Sequence, residues 1–160
     1  MNTRRILKEL QEMHTSDDPC LGFWNNPKDT TTIYVHVIGP RDTAYEGSHM
    51  EIRMNLTNDY PLSPPKVKCL TKTFHPNIDM RTGEICMDIL SSKGWTPSWT
   101  VISIARAFLV LLQSPVPSSP LNCDAANLIR LGDDIGYTSL SKYYAKLYAT
   151  KENLIKQYKY

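Results

Sequence analysis

Met50-Glu51-Ile52-Arg53-Met54-Asn55-Leu56, then Tyr60-Pro61-Leu62-Ser63-Pro64-Pro65, then Lys66-Val67-Lys68-Cys69-Leu70, sets the fold class. In the first run apolar residues alternate with polar ones, the period of a strand with one buried face. The second run holds Pro61, Pro64 and Pro65. Proline has no N–H for a strand ladder, so this run is an ordered loop. The third run resumes as a short strand. Upstream, Ile33-Tyr34-Val35-His36-Val37-Ile38 is rich in strand formers, and Gly39-Pro40 ends it. With a strand around Trp24, the sequence predicts four successive strands marked by Trp24, Ile33, Met50 and Val67, three of them in hairpin-like order.

Helices flank the strands. Over residues 3–14, Ile6, Leu7, Leu10 and Met13 fall on one face, and Arg4, Arg5, Lys8, Glu9 and Glu12 populate the rest. Asp17-Asp18-Pro19 stops this helix. Thr100 can cap a helix through Val101–Gln113 that is apolar almost all round, so it is predicted to be the most buried one. Ser103, Arg106 and Val110 outline its exposed stripe. A short helix is expected over 124–131. A last one is expected from about Ser139 to Gln157, with Leu140, Tyr144, Leu147, Leu154 and Tyr158 inward. Its face of Lys142, Lys146, Lys151 and Lys156 reads as solvated surface. Helix, four-strand meander, then helices is an α+β class.

Bulk properties narrow the function. The chain has 160 residues, which favours one domain over 1–160. Eighteen Lys and Arg against 16 Asp and Glu give a net charge of +2. That balance argues against nucleic-acid binding as the main task, since counterion release needs a basic face. Cys20, Cys69, Cys86 and Cys123 lie far apart, with neither a C-x-x-C nor a zinc-finger spacing, so no metal site is expected. The N-terminus lacks the apolar run of a signal peptide, and no apolar stretch is long enough to span a membrane. Free thiols fit a reducing, cytoplasmic setting.

The stretch from roughly 71 to 99 has little period, and such segments in compact domains are usually functional. Its centre reads Phe74-His75-Pro76-Asn77-Ile78-Asp79-Met80-Arg81-Thr82-Gly83-Glu84-Ile85-Cys86-Met87-Asp88-Ile89-Leu90. A cysteine can hold an acyl group as a thioester, because a thiolate both attacks and leaves well. Asp88, two residues on, disfavours a thiolate if it is close, which is wrong for a protease-style ion pair but tolerable for thioester exchange. A carboxylate there can orient an amine or thiol acceptor and help take its proton. Asn77 offers an amide donor for the oxyanion, and can equally brace its own loop. His75 reads as a buried, hydrogen-bonded support rather than a base. Cys20, Cys69 and Cys123 read as packing residues. Trp95 and Trp99 read as packing anchors.

His75-Pro76-Asn77 followed by Gly83-x-Ile85-Cys86-x-Asp88-Ile89-Leu90 resembles the active-site signature of the ubiquitin-conjugating enzymes. Arg5-Ile6-x-Lys8-Glu9-Leu10, Gly39-Pro40-x-Asp42-Thr43-x-Tyr45-Glu46-Gly47, Tyr60-Pro61-x-x-Pro64-Pro65-Lys66-Val67, Trp95-Thr96-Pro97 and Pro120-Leu121-Asn122 resemble other parts of that family in the same order. The resemblance implies that Cys86 accepts ubiquitin from the ubiquitin-activating enzyme. It further implies transfer to a substrate lysine or cysteine with a RING-type ligase, Asn77 and Asp88 assisting and His75 and Ser119 supporting the site. Arg5, Lys8, Leu62, Pro97 and Ser98 would meet the activating enzyme and ligases. Ser103, Arg106 and Val110 would receive the bound ubiquitin. No metal or organic cofactor is implied, and ATP belongs to the upstream enzyme. Leu62 stands where many members have phenylalanine, Ser119 where aspartate is frequent, Val116 where asparagine is common, and Ala44 where proline is frequent.

A finer resemblance runs through Trp95-Thr96-Pro97-x-Trp99, Ser119-Pro120-Leu121 and Asn127-x-Ile129-Arg130-x-Gly132-Asp133. These look like the peroxisomal, or peroxin, branch, which modifies a peroxisomal import receptor and is held at the membrane by an anchor protein. Rival readings are conjugation of another ubiquitin-like modifier, a non-catalytic ubiquitin-binding scaffold, and a cysteine hydrolase pairing Cys86 with His75. The presence of Cys86 counts against the scaffold, and Asp88 against the hydrolase.

Overall fold

The computed structural model describes residues 3–154. The chain runs α1 (Thr3–His14), β1 (Leu21–Asn25), β2 (Thr32–Ile38), β3 (His49–Asn55), β4 (Lys66–Cys69), a 3-10 turn (Asp88–Leu90), α2 (Val101–Gln113), α3 (Cys123–Arg130), α4 (Asp134–Tyr148) and a second 3-10 turn (Lys151–Asn153). The strands form one antiparallel sheet in the order β1-β2-β3-β4. All four are therefore a meander, the first included.

Register follows the alternation in the sequence. Val35 sits opposite Ile52 and Val37 opposite Met50. Met54 sits opposite Val67. These residues share one face of the sheet, and Ile33, Val35, Val37, Met50, Ile52 and Met54 are fully buried. Ile104, Ala105 and Phe108 of α2, equally buried, belong to the same core. Burial of each large apolar side chain stabilises the fold by roughly 1.5–3 kcal/mol. The opposite face carries His36, His49 and Glu51, with His36 Nε2 and His49 Nδ1 2.9 Å apart.

Helix α2 starts as the sequence predicts. Thr100 Oγ1 accepts from the Ser103 backbone N–H, and Ser103 Oγ accepts from the Thr100 N–H, a reciprocal capping box. Arg106 and Val110 are exposed. Ser103 is half-buried in this cap.

Two helices correct their expected faces. In α1, Leu7 is 56% exposed whereas Glu9 is 3% exposed. Glu9 turns inward because three donors meet it there, as described below. Helix α4 begins five residues before the expected Ser139 and ends at Tyr148 rather than Gln157. Asp133 caps it by accepting from the Gly136 N–H at 2.8 Å. Leu140 and Leu147 are exposed, and Ser141 is the buried residue. The reason is steric. The Tyr45 and Phe74 rings already occupy the space beneath α4, with Tyr45 Oη donating to the Phe74 carbonyl at 2.6 Å and Phe74 stacked on Tyr144. Only a small side chain fits between them. Leu154 lies in irregular chain, and Lys156, Gln157 and Tyr158 fall outside the described residues. No helix among the described residues is long and apolar enough to cross a membrane.

Candidate active site

The segment without period is a tight hairpin followed by a turn. Ile78 and Ile85 form an isolated antiparallel bridge. Asp79 N–H donates to the Glu84 carbonyl, and Gly83 N–H to the Asp79 carbonyl, both at 2.9 Å. The Asp79 carboxylate accepts from the backbone N–H groups of Arg81 and Thr82 at 2.7 and 2.9 Å. Those bonds hold its carboxyl below the usual range. Gly83 has φ +72°, and a Cβ there would lie 2.2 Å from the Cys69 carbonyl oxygen. Only glycine lets the hairpin approach β4 this closely, where Cys69 N–H donates to the Gly83 carbonyl at 2.8 Å.

The hairpin brings its two ends together. Cys86 N–H donates to the Asn77 carbonyl at 2.9 Å. After Cys86 the chain enters the 3-10 turn that begins at Asp88. Gly94 comes back over this turn, where a Cβ would be 2.0 Å from the Asp88 carbonyl oxygen. Cys86 is half-buried and Asp88 exposed.

A second wall comes from the loop after α2. Asn77, buried at 1% exposure, reaches across to it. Its Nδ2 donates to the Val116 carbonyl at 2.8 Å and to the Ser119 carbonyl at 3.2 Å. Its Oδ1 accepts from the Val116 N–H at 2.8 Å. The Leu121 and Asn122 N–H groups both donate to the Pro76 carbonyl, at 2.8 and 3.0 Å. Arg130 of α3 donates to the Pro117 carbonyl from outside. The result is a groove of about 190 Å3, lined by Asn77, Cys86, Asp88 and Ser119 with Ala107, Val110 and Leu111 of α2 among its other walls. A larger hollow of about 740 Å3 lies between α4 and the β2–β3 turn, lined by Lys142, Lys146 and Lys151 and by no cysteine. Of the two, the smaller groove is the one lined by a thiol, that of Cys86.

His75 lies beneath the groove, fully buried. Its Nδ1 accepts from the Asn77 N–H at 3.0 Å, and its Nε2 lies 3.0 Å from the Leu111 carbonyl. The carbonyl can only accept, so Nε2 carries the hydrogen and the tautomer is fixed. Burial pushes the imidazole down to about 4, partly opposed by its bond to Leu111. Both ring nitrogens are engaged, so no nitrogen is left to take a proton from Cys86. This removes the geometry a Cys86–His75 hydrolase would need. Cys69 is buried and held up at about 11 by burial, so it is inert.

The residues assigned to partner surfaces divide into two sets. Leu62 is 78% exposed, and Pro97 and Ser98, two and three residues after Trp95, are exposed as well. Lys8 is exposed and pairs with Glu12 at 3.7 Å. Arg106 pairs with Asp18 at 3.2 Å, and Val110 stands free on the same face. Arg5 is half-buried instead, paired with Glu9 and donating to the Trp99 carbonyl at 2.9 Å. The sequence reading missed Glu9 and Tyr60 as interior polar groups and Val116 as the partner of Asn77. For Glu9 the available signal was its spacing, three residues after Ile6 and four before Met13, which puts it on the apolar face of α1.

The ubiquitin-conjugating enzyme family matches residues 5–143. The chain is similar to Protein PEROXIN-4 of Arabidopsis thaliana, with 48% identity over 147 residues covering 91% of this chain and 93% of that protein. It is 42% identical to ubiquitin-conjugating enzyme E2 pex4 of Dictyostelium discoideum over 147 residues, 90% of this chain and 97% of that one. Among solved structures it resembles the H. polymorpha ubiquitin conjugating enzyme Pex4p, crystallised with the soluble domain of Pex22p. That match has a TM-score of 0.84 and 30% identity, over 92% of this chain and 97% of the other.

Proposed function

The chain belongs to the ubiquitin-conjugating enzyme family, and we propose that it carries ubiquitin as a thioester on Cys86 within the groove formed by Asn77, Asp88 and Ser119. The observation that supports this reading is the Cys86 N–H to Asn77 carbonyl bond, which sets a half-buried thiol at the rim of a groove walled by α2. In the first step Cys86 Sγ attacks the carbonyl of the activating enzyme's ubiquitin thioester. A new S–C bond forms, the old one breaks, and the activating enzyme's cysteine leaves as the thiol. In the second step a substrate amine or thiol attacks the Cys86 thioester, and Cys86 leaves with the acceptor's proton balanced through solvent or Asp88. The oxyanion of the intermediate forms between these walls, near the Asn77 amide.

Val110 and Arg106 on the exposed face of α2 are the seat for the bound ubiquitin, and Leu62, Pro97 and Ser98 the ligase-facing surface. Lys8 faces the activating enzyme. The likeness to peroxin-4 sequences, and to a Pex4p crystallised with Pex22p, supports action at the cytosolic face of the peroxisomal membrane. A Pex22-type anchor protein would hold the enzyme there, and the import receptor would be the substrate. ATP serves the activating enzyme, and the chemistry proposed for this chain calls on no metal or cofactor.

The test is a charging assay with activating enzyme, ATP and ubiquitin. The expected product is a thiol-sensitive adduct that Cys86→Ala abolishes. An adduct that persists in Cys86→Ala overturns the assignment. The same assay run with competing ubiquitin-like modifiers distinguishes ubiquitin from its relatives, and preferential charging by another modifier overturns that part.

A further inference from the structure

A carboxylate buried in α1 joins the three parts of the surface assigned above to partner enzymes. Glu9 is 3% exposed, a charged residue three after Ile6 and four before Met13 and so on the buried face of α1. Its Oε1 accepts from Tyr60 Oη at 2.6 Å, and its Oε2 from the Val101 backbone N–H at 2.8 Å. Arg5, one turn earlier on α1, also donates to Oε1 and reaches on to the Trp99 carbonyl at 2.9 Å.

These contacts touch two loops at their bases. Tyr60 precedes Pro61 and Leu62, and its ring lies 6.1 Å from the Trp95 ring, tilted. Trp95 Nε1 donates to the Pro61 carbonyl at 2.9 Å, which ties the second loop to the first. Trp99 and Val101 close the second loop, whose tip carries the exposed Pro97 and Ser98. Leu62, at the tip of the first, is 78% exposed. Each tip is held within its own loop, Leu62 N–H donating to the Asp59 carbonyl at 2.7 Å and Trp99 N–H to the Thr96 carbonyl at 3.0 Å. One loop is fixed against the other by the Trp95–Pro61 bond and by the Glu9 carboxylate on which their bases converge. A hydrogen bond to a buried charged group is stronger than one between neutral groups, and its directions fix geometry as well as energy.

We infer that Glu9, acting through Tyr60 and Arg5, is a positioning residue for ligase engagement: it sets the spacing between the Leu62 tip and the Pro97–Ser98 tip that a ligase must span. This rests on the reading of Leu62, Pro97 and Ser98 as the ligase-facing surface. Glu9 touches neither ubiquitin nor the reacting atoms. Its removal changes how well a ligase binds, not the thioester chemistry.

The experiment uses the full chain and a RING-domain protein chosen because it stimulates discharge of ubiquitin from the unaltered enzyme. Tyr60→Phe deletes one hydroxyl and keeps the ring in place, so folding is preserved. Glu9→Gln keeps the size and withdraws one acceptor oxygen. In both variants the ligase concentration for half-maximal stimulation rises about 5- to 10-fold, equivalent to the loss of one such bond. The rate at saturating ligase, the unstimulated discharge and the charging rate stay within about 2-fold. The double variant loses no more than the worse single one, because both act through one contact. Ile52→Val, a core change of similar destabilisation in the middle of β3, where Ile52 sits opposite Val35 and Cys69, supplies the structural control. The inference is overturned if the half-maximal concentration rises no more than in that control, or if all rates fall together. Leu62→Ala separates the two levels. If it weakens ligase binding while Tyr60→Phe does not, the role of Glu9 fails and the surface stands; if Leu62→Ala is itself neutral, both fail.

Discussion

Asn77 and Val116 are locked by a reciprocal pair of hydrogen bonds, the side-chain amide donating to the Val116 carbonyl and accepting from its N–H, each at 2.8 Å. A third bond, to the Ser119 carbonyl, engages the amide's other hydrogen. In the resting enzyme this side chain is a clamp between the cysteine hairpin and the loop after α2. An oxyanion role requires one of those donors to be shared or released when the intermediate forms. The two roles therefore draw on the same two N–H bonds.

Asn77→Ala should consequently show two losses. Stability falls by about 2–4 kcal/mol, since buried partners in the loop are left unsatisfied. Charging survives, because Cys86 is held by the backbone carbonyl of residue 77, which the substitution keeps. Discharge slows by roughly 10-fold or more. Urea unfolding and single-turnover discharge, measured where the variant is fully folded, check both. Discharge equal to that of the unaltered enzyme removes the oxyanion role and leaves the clamp.

The four thiols should separate by reactivity. Cys123 is exposed, Cys86 and Cys20 are half-buried and Cys69 is buried. With Cys69 held at about 11, only about 0.1% of it is thiolate at pH 8. Brief treatment with iodoacetamide, read by peptide mass spectrometry, should modify Cys123 and Cys86 and spare Cys69. Prior charging with ubiquitin should protect Cys86 alone. Loss of charging should track modification of Cys86, and Cys123→Ala should charge normally. Protection of Cys123 instead would place the thioester on the wrong residue.

Ser119 offers a test of acceptor chemistry. It lines the groove with Cys86 and Asp88, and its carbonyl is fixed by Asn77 while its residue surface is exposed. A carboxylate introduced by Ser119→Asp sits beside the path of an incoming acceptor. It attracts an ammonium group and helps remove its proton, but it opposes a thiolate. Discharge to free lysine should rise about 3-fold and discharge to free cysteine should stay level or fall. The ratio of the two rates is the readout. A parallel rise in both would mean that the substitution acts on the thioester and not on the acceptor.

The sheet and α2 were legible because their burial follows simple periods. Met50, Ile52 and Met54 alternate as a strand must, and Thr100 announces a cap. The reading of α4 failed because its packing partners, Tyr45 and Phe74, come from remote parts of the chain and leave room only for Ser141. Periodicity within the helix carries no record of that. The spacing of Glu9 from Ile6 and Met13 does put it on the buried face, but its donors, on α1 itself, at Tyr60 and at Val101, are not written in that spacing. At the candidate site the sequence pointed to Cys86, Asn77, Asp88 and His75 by type and order, and the first three line one groove with His75 buried beneath it. It did not reveal that Asn77 faces Val116, since the pairing exists only once the hairpin and the α2 loop meet.

Acid sensitivity follows from His75. Its neutral form is the one the fold holds, with Nδ1 accepting and Nε2 donating inside the core. Burial lowers it from 6.5 to about 4. Above pH 6.5 both the folded and unfolded chains hold neutral imidazole, and the full stability is present. As pH falls from 6.5 towards 4 the unfolded chain takes up the proton first, so stability is lost across that window. At about 1.4 kcal/mol for each pH unit, the loss attributable to His75 is of order 3 kcal/mol. His36 is also lowered to about 4, by burial and then by His49 and Lys151, and contributes in the same direction. Urea unfolding between pH 7 and 4.5 should show this fall, and His75→Gln should flatten it to the part His36 leaves. An unchanged slope in His75→Gln would show that His75 is not the titrating group. Between pH 6 and 8 the discharge rate should carry no inflection from His75, because the folded enzyme keeps that ring neutral throughout and both its nitrogens occupied.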